Sequence, residues 1–142
     1  RTVRMLGTVR AFSDDVRTAM PERIERVLKS CCDAMGASYE FNYLWRYPVT
    51  SNDADQTRYA RALAERTAGE EHVVTADKLM GAEDFSFFAQ RVPACFYSLG
   101  ARGGPETANP HHSSTFDIDE RCLPVGVRMM AALAFDAPRN AP

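Results

Sequence analysis

The sequence predicts an α/β fold built in two pieces, and three observations carry that prediction. Tyr39, Phe41, Tyr43 and Trp45 alternate with Glu40 and Asn42 across residues 37–45, the period-two pattern of a strand with one apolar face. Ala94, Cys95, Phe96, Tyr97, Ser98 and Leu99 form a nearly unbroken apolar run closed by Gly100, as expected of a strand buried on both faces. Around these runs apolar residues recur at helical spacing, so helices and strands alternate along the chain.

Residues 2–12 open the chain as a strand, with Val3, Met5, Gly7 and Val9 on one parity and Arg4 and Arg10 on the other. Ser13 then offers an N-cap and Asp14-Asp15 an acidic first turn. Met20, Ile24, Val27, Leu28, Cys31 and Met35 follow at helical spacing, and Gly36 suits the position after the last turn. Pro21 is awkward there: either the helix starts near Met20 or it kinks at the proline. With the strand at 37–45 this makes strand, helix, strand, half of an α+β sandwich over residues 1–48. Tyr47-Pro48 ends it.

Residues 49–142 read as helix, strand, helix, strand, helix. Asn52 can cap a helix running to about Ala68 and closed by Gly69. His72, Val73, Val74 and Thr75 make a short strand, with His72 a surface residue beside Glu70 and Glu71. The turn at residues 80–84 leads into a short aromatic helix carrying Phe85, Phe87 and Phe88, and the apolar strand at 94–99 follows. A Gly-rich loop covers 101–105, and the last helix spans about residues 123–135 with Pro124 in its tolerant first turn.

Composition narrows the function classes. The 142 residues are 45% apolar and 25% charged with a net charge of −2, so a core can form but no electrostatic footprint for nucleic acid or a membrane surface exists. No apolar stretch approaches the ~20 residues that span a bilayer. Arg1 is neither an initiating Met nor the start of a signal-peptide pattern, so the chain reads as a strand entered midway. Cys31, Cys32, Cys95 and Cys122 form no CxxC pair and are expected as free thiols in a reducing, cytoplasmic setting.

Two places break the pattern of a plain core. Glu83 and Asp84 put adjacent carboxylates at a helix start, where capping and dipole complementarity are the simple explanation. His111 and His112, two of the three histidines, sit side by side in a polar loop after the apolar strand. Imidazole is the commonest metal ligand and also a general base. Neighbouring residues do not easily hold one ion together, and spacing alone leaves open which histidine matters, if either. Glu83, Asp84, Asp117 and Asp119 form no recognised ligand cluster, so any site would be incomplete in these residues.

Several segments in order resemble a known family. They are Gly7-Thr8-Val9-Arg10-Ala11-Phe12; Tyr47-Pro48 with Asn52-Asp53; Met80-Gly81-Ala82-Glu83-Asp84-Phe85-Ser86; Val92-Pro93 before Phe96-Tyr97-Ser98-Leu99-Gly100; and His112-Ser113 before Phe116-Asp117-Ile118-Asp119-Glu120, followed by Leu123-Pro124-Val125-Gly126. The order is similar to that of metal-dependent amidohydrolases of the aminoacylase-like metallopeptidase type, which include hippurate hydrolases, N-acyl-amino-acid amidohydrolases and auxin-conjugate hydrolases.

The resemblance implies a fold and a chemistry. Residues 1–48 would be half of a ferredoxin-like α+β lid, or dimerisation, domain, and residues 49–142 the C-terminal part of the catalytic domain. Of the two histidines it selects His112 as a metal ligand. It implies Met80, Gly81, Glu83 and Asp84 as substrate-pocket residues, and Asp119 and Glu120 as groups that fix the loop and cap the last helix. Two divalent ions (zinc, manganese, cobalt or nickel) would serve the complete enzyme, with one ligand in this chain and no catalytic residue. The substrate would be a small N-acyl amino acid and the assembly a homodimer through the lid, with the isolated chain inactive. A non-catalytic dimerisation module and a dipeptidase-like relative are the rival expectations.

Overall fold

The structure, a computed structural model, describes residues 1–136. It contains four α-helices among those residues: α1 (Asp14–Met35), α2 (Ala54–Ala68), α3 (Phe85–Ala89) and α4 (Cys122–Asp136). Two 3₁₀ turns, Glu70–His72 and Pro105–Thr107, lie between them. The chain forms two compact units, Arg1–Ser51 with Asp77–Val92, and Asn52–Ala76 with Pro93–Pro142.

In the first unit α1 is set by its ends. Ser13 Oγ accepts from Val16 N–H at 3.3 Å, and Gly36 sits at φ 59° while Ala37 N–H reaches back to Cys32 O at 2.9 Å. That closing pair needs a left-handed residue, which glycine adopts without a Cβ penalty. The helix runs unbroken through Pro21, which removes one N–H but stops neither turn. Its inner face meets residues 39–46: Arg17 lies 4.8 Å from the Trp45 ring centre and donates to Arg46 O at 3.1 Å, and Tyr39 Oη donates to Glu25 at 3.4 Å.

In the second unit α2 and α4 pack together. Ala60 and Leu63 from α2 and Met129 from α4 are buried, with Tyr59, Ala64, Cys95, Ala132 and Leu133 half-buried against them. The spacing of Tyr59-Ala60 and Leu63-Ala64 places these side chains on one face of α2. Arg66 and Asp136 tie the two helices at 2.6 Å. Asp53, not Asn52, caps α2, its Oδ1 accepting from the N–H groups of Asp55 and Gln56 at 2.9 Å.

The strand expectations need correction. Among the described residues no strand forms, so residues 2–12, 37–45, 72–75 and 94–99 lack the ladders an α/β sheet requires. His72 closes a 3₁₀ turn and does not open a strand. Alternating side chains create a strand's face, but a strand exists only where a neighbour pairs with its N–H and C=O groups. The alternation persists only at its centre, since Tyr39 and Trp45 are exposed. Phe41 and Tyr43 are half-buried while Glu40, Asn42 and Leu44 are exposed, and the rings of Phe41, Tyr43 and Trp45 follow each other at 6.2 and 5.0 Å.

Candidate functional site

His112 occupies an unusual backbone position. At φ 63° it is the one non-glycine residue with positive φ among the described residues. Histidine tolerates the left-handed region better than most side chains, but the conformation still carries strain that the surroundings must hold in place. The loop supplies that hold. Asn109 Nδ2 donates to Thr115 O at 2.8 Å, Thr115 N–H to Ser113 Oγ at 3.2 Å, and Phe116 N–H to Ser113 O at 3.1 Å. The His111 ring lies edge-on to Phe116 with centres 5.1 Å apart. His112 is exposed, and no hydrogen bond, ion pair or ring contact engages its imidazole.

The two histidines are therefore differently used. Both imidazoles are exposed, but His111 packs edge-on against Phe116 whereas His112 makes no ring contact. A metal centre needs three or four donors, and among the described residues no group of three His, Cys, Asp or Glu is placed to hold an ion. His112 fits the part of one ligand and no more.

Met80, Gly81, Glu83 and Asp84 lie in the first unit, whereas His112 belongs to the second. Met80 is exposed and Gly81 has open space around it. Asp84 takes the N-cap place of α3 but gives no side-chain cap; Glu83 Oε1 instead accepts from Asp84 N–H at 3.2 Å. Ser86, fully buried, donates through Oγ to Glu83 O at 2.6 Å and anchors the turn. The Asp84 carboxylate is left exposed and unengaged, available to a polar group of a ligand.

Asp119 fixes the other side of the His112 loop. Its carboxylate accepts from Arg121 Nε at 2.9 Å and from Arg121 Nη2, and its N–H donates to Ala101 O at 2.9 Å. The Arg121 guanidinium and backbone N–H hold this carboxyl down at about 2, from an ordinary 3.8. Cys122 N–H then donates to Asp119 O and Leu123 N–H to Glu120 O, both at 3.0 Å, starting α4. Gly103 lies so close that an added Cβ would stand 1.7 Å from Asp119 Oδ2.

One positioning residue escaped the reading of the sequence. Asn52 pairs both its amide groups with the backbone of Phe96, accepting from N–H and donating to C=O, each at 2.8 Å. Asp53 N–H adds a bond to Ala94 O at 2.9 Å. Two consecutive Asx residues before a helix were the available signal, since only one of them can cap it. The 94–96 segment also borders a cavity of about 200 Å³ lined by Gln56, Tyr59, Ala60, Cys95, Tyr97 and Leu133. Burial raises the Tyr97 hydroxyl above its ordinary range, with the Cys95 thiol adding to the effect.

Residues 5–136 match peptidase family M20/M25/M40, and the chain belongs to that family. It is 35% identical over 139 residues to IAA-amino acid hydrolase ILR1-like 6 of Arabidopsis thaliana, covering 94% of this chain and 30% of that protein. It is 33% identical over 132 residues to thermostable carboxypeptidase 2 of Saccharolobus solfataricus (strain ATCC 35092 / DSM 1617 / JCM 11322 / P2), covering 92% and 33%. With N-acetylcysteine deacetylase of Bacillus subtilis (strain 168) it shares 32% identity over 130 residues, covering 92% and 33%. The chain thus spans about a third of the length of these curated relatives. No solved structure gives a significant match. No helix among the described residues is long and apolar enough to cross a membrane.

Proposed function

We propose that this chain is part of a metal-dependent amidohydrolase that cleaves the amide bond of N-acyl amino acids. His112 supplies one metal ligand, and Met80, Gly81, Glu83 and Asp84 line the substrate pocket. The observation that carries the reading is the unengaged His112 imidazole, held out on a strained left-handed residue in a chain of this peptidase family. Two relatives are named for amides of amino acids, an IAA-amino acid hydrolase and an N-acetylcysteine deacetylase. Those names support an acylated amino acid as substrate, hippurate-like in form.

Divalent ions of the zinc, manganese, cobalt or nickel kind, when bound, acidify water and polarise an amide carbonyl. The residues of this chain hold and orient. The 109–116 loop fixes where the imidazole stands, and the unengaged Asp84 carboxylate is free to accept a substrate N–H. In the complete protein, residues 1–48 form part of a lid that pairs two copies, and residues 49–142 the end of an α/β catalytic domain.

The test uses the complete protein with hippurate, N-acetyl amino acids and dipeptides as substrates. Zinc- or manganese-dependent release of amino acid from the N-acyl compounds, abolished by His112→Ala, is the expected result. Faster turnover of dipeptides would favour a dipeptidase, and full activity of His112→Ala would sink the ligand assignment.

A further inference from the structure

We propose that His111 is a positioning residue, which holds His112 in place by packing on Phe116. This rests on His112 being a metal ligand. His112 needs outside help to stay at φ 63°, because an L-residue leaves the left-handed region unless its neighbours fix it. The Asn109 bond to Thr115 O closes the loop around both histidines, and the bonds of Ser113, Thr115 and Phe116 fasten its C-terminal half. None of them engages His111 or His112, which form the turn itself.

The only described ring contact in this turn is that of His111 on Phe116, at 5.1 Å and 61° between ring planes. Phe116 is in turn tied through its N–H to Ser113 O at 3.1 Å. The contact therefore spans the strained residue from its N-terminal neighbour to the anchored end of the loop. An edge-to-face pair of this kind needs an aromatic ring but no titratable group. Phenylalanine should replace His111, whereas a side chain without a ring should not.

The experiment compares His111→Ala, His111→Gln, His111→Phe and His112→Ala in the complete protein, with Zn²⁺ as the probe. Zinc affinity is read by chelator competition, the cobalt-substituted protein by its visible absorption bands, and folding by thermal midpoint without metal. His111→Ala and His111→Gln should weaken zinc binding about three- to tenfold, the size of one aromatic contact, and shift the cobalt bands. His111→Phe should match the unsubstituted protein. Gln retains bulk and polarity, so it decides the matter if the Ala variant does not fold. Equal losses in the Phe and Ala variants would overturn the proposal, because the imidazole itself would then be required. Unchanged binding in the Ala and Gln variants beside a loss in His112→Ala would overturn positioning and leave the ligand standing. Unchanged binding in His112→Ala would remove the ligand assignment, and the positioning role with it.

Discussion

Single residues set the geometry around the His112 loop, and Gly103 is the sharpest case. A Cβ there would stand 1.7 Å from Asp119 Oδ2 and 2.8 Å from Asp119 Cβ, so rotating the carboxylate away would not relieve the clash. Gly103→Ala should destabilise the protein by about 1–3 kcal/mol, the usual range for overpacking, read as a lower thermal midpoint. An unchanged midpoint would mean that the loop yields freely. Asp119 also makes a pH prediction. Its folded value of about 2 lies below the ordinary 3.8, so protons bind the unfolded state first as acid is added. The Arg121 interaction is fully present above about pH 4 and is lost as pH falls through about 2. Asp119→Asn should flatten the loss of stability across that window, followed by circular dichroism; a slope equal to that of the parent would show the pair to be inert. Arg121 is well exposed, so the effect is small.

At the scale of elements, what could be read depended on how local the signal was. The ends of α1 were legible because Ser13 and Gly36 act within one turn of themselves. The course through Pro21 was not, since a proline inside a helical pattern allows a start, a kink or an unbroken run. The strands were legible only as alternating side chains, because pairing is a property of two segments and sequence displays one. Resemblance, and not spacing, singles out His112 as the candidate ligand, and its backbone angle has no sequence signature. Asn52 illustrates the limit best: its type suggested a cap, while its partners lie 44 residues away. Asn52→Ala should cost about 1 kcal/mol by removing its two hydrogen bonds to the exposed backbone of Phe96. Asn52→Asp should cost at least as much, since a carboxylate would face the carbonyl. Hydrogen exchange at Phe96 is the direct measurement, and unchanged protection in both variants would refute the clamp.

At the scale of the whole molecule the exposed surface dominates. Many large apolar side chains among the described residues remain exposed. Apart from Pro48, the chain's buried apolar side chains among the described residues are Ala60, Leu63 and Met129, while Val3, Met5, Leu6, Leu79 and Phe135 stand largely in solvent. Burial at about 25 cal/mol per Å² cannot offset the ordering of so many residues with so small a core. The isolated 142-residue chain should therefore unfold in urea over a broad range, with a slope well below that expected for its length, and should bind ANS before unfolding. In the complete protein the backbone around Val3, Met5 and Leu6 should gain protection from hydrogen exchange, because further polypeptide covers those side chains. A steep, single transition of the isolated chain without ANS binding would contradict this. It would also require the exposed apolar side chains to be an adapted surface in their own right, and not a face awaiting burial.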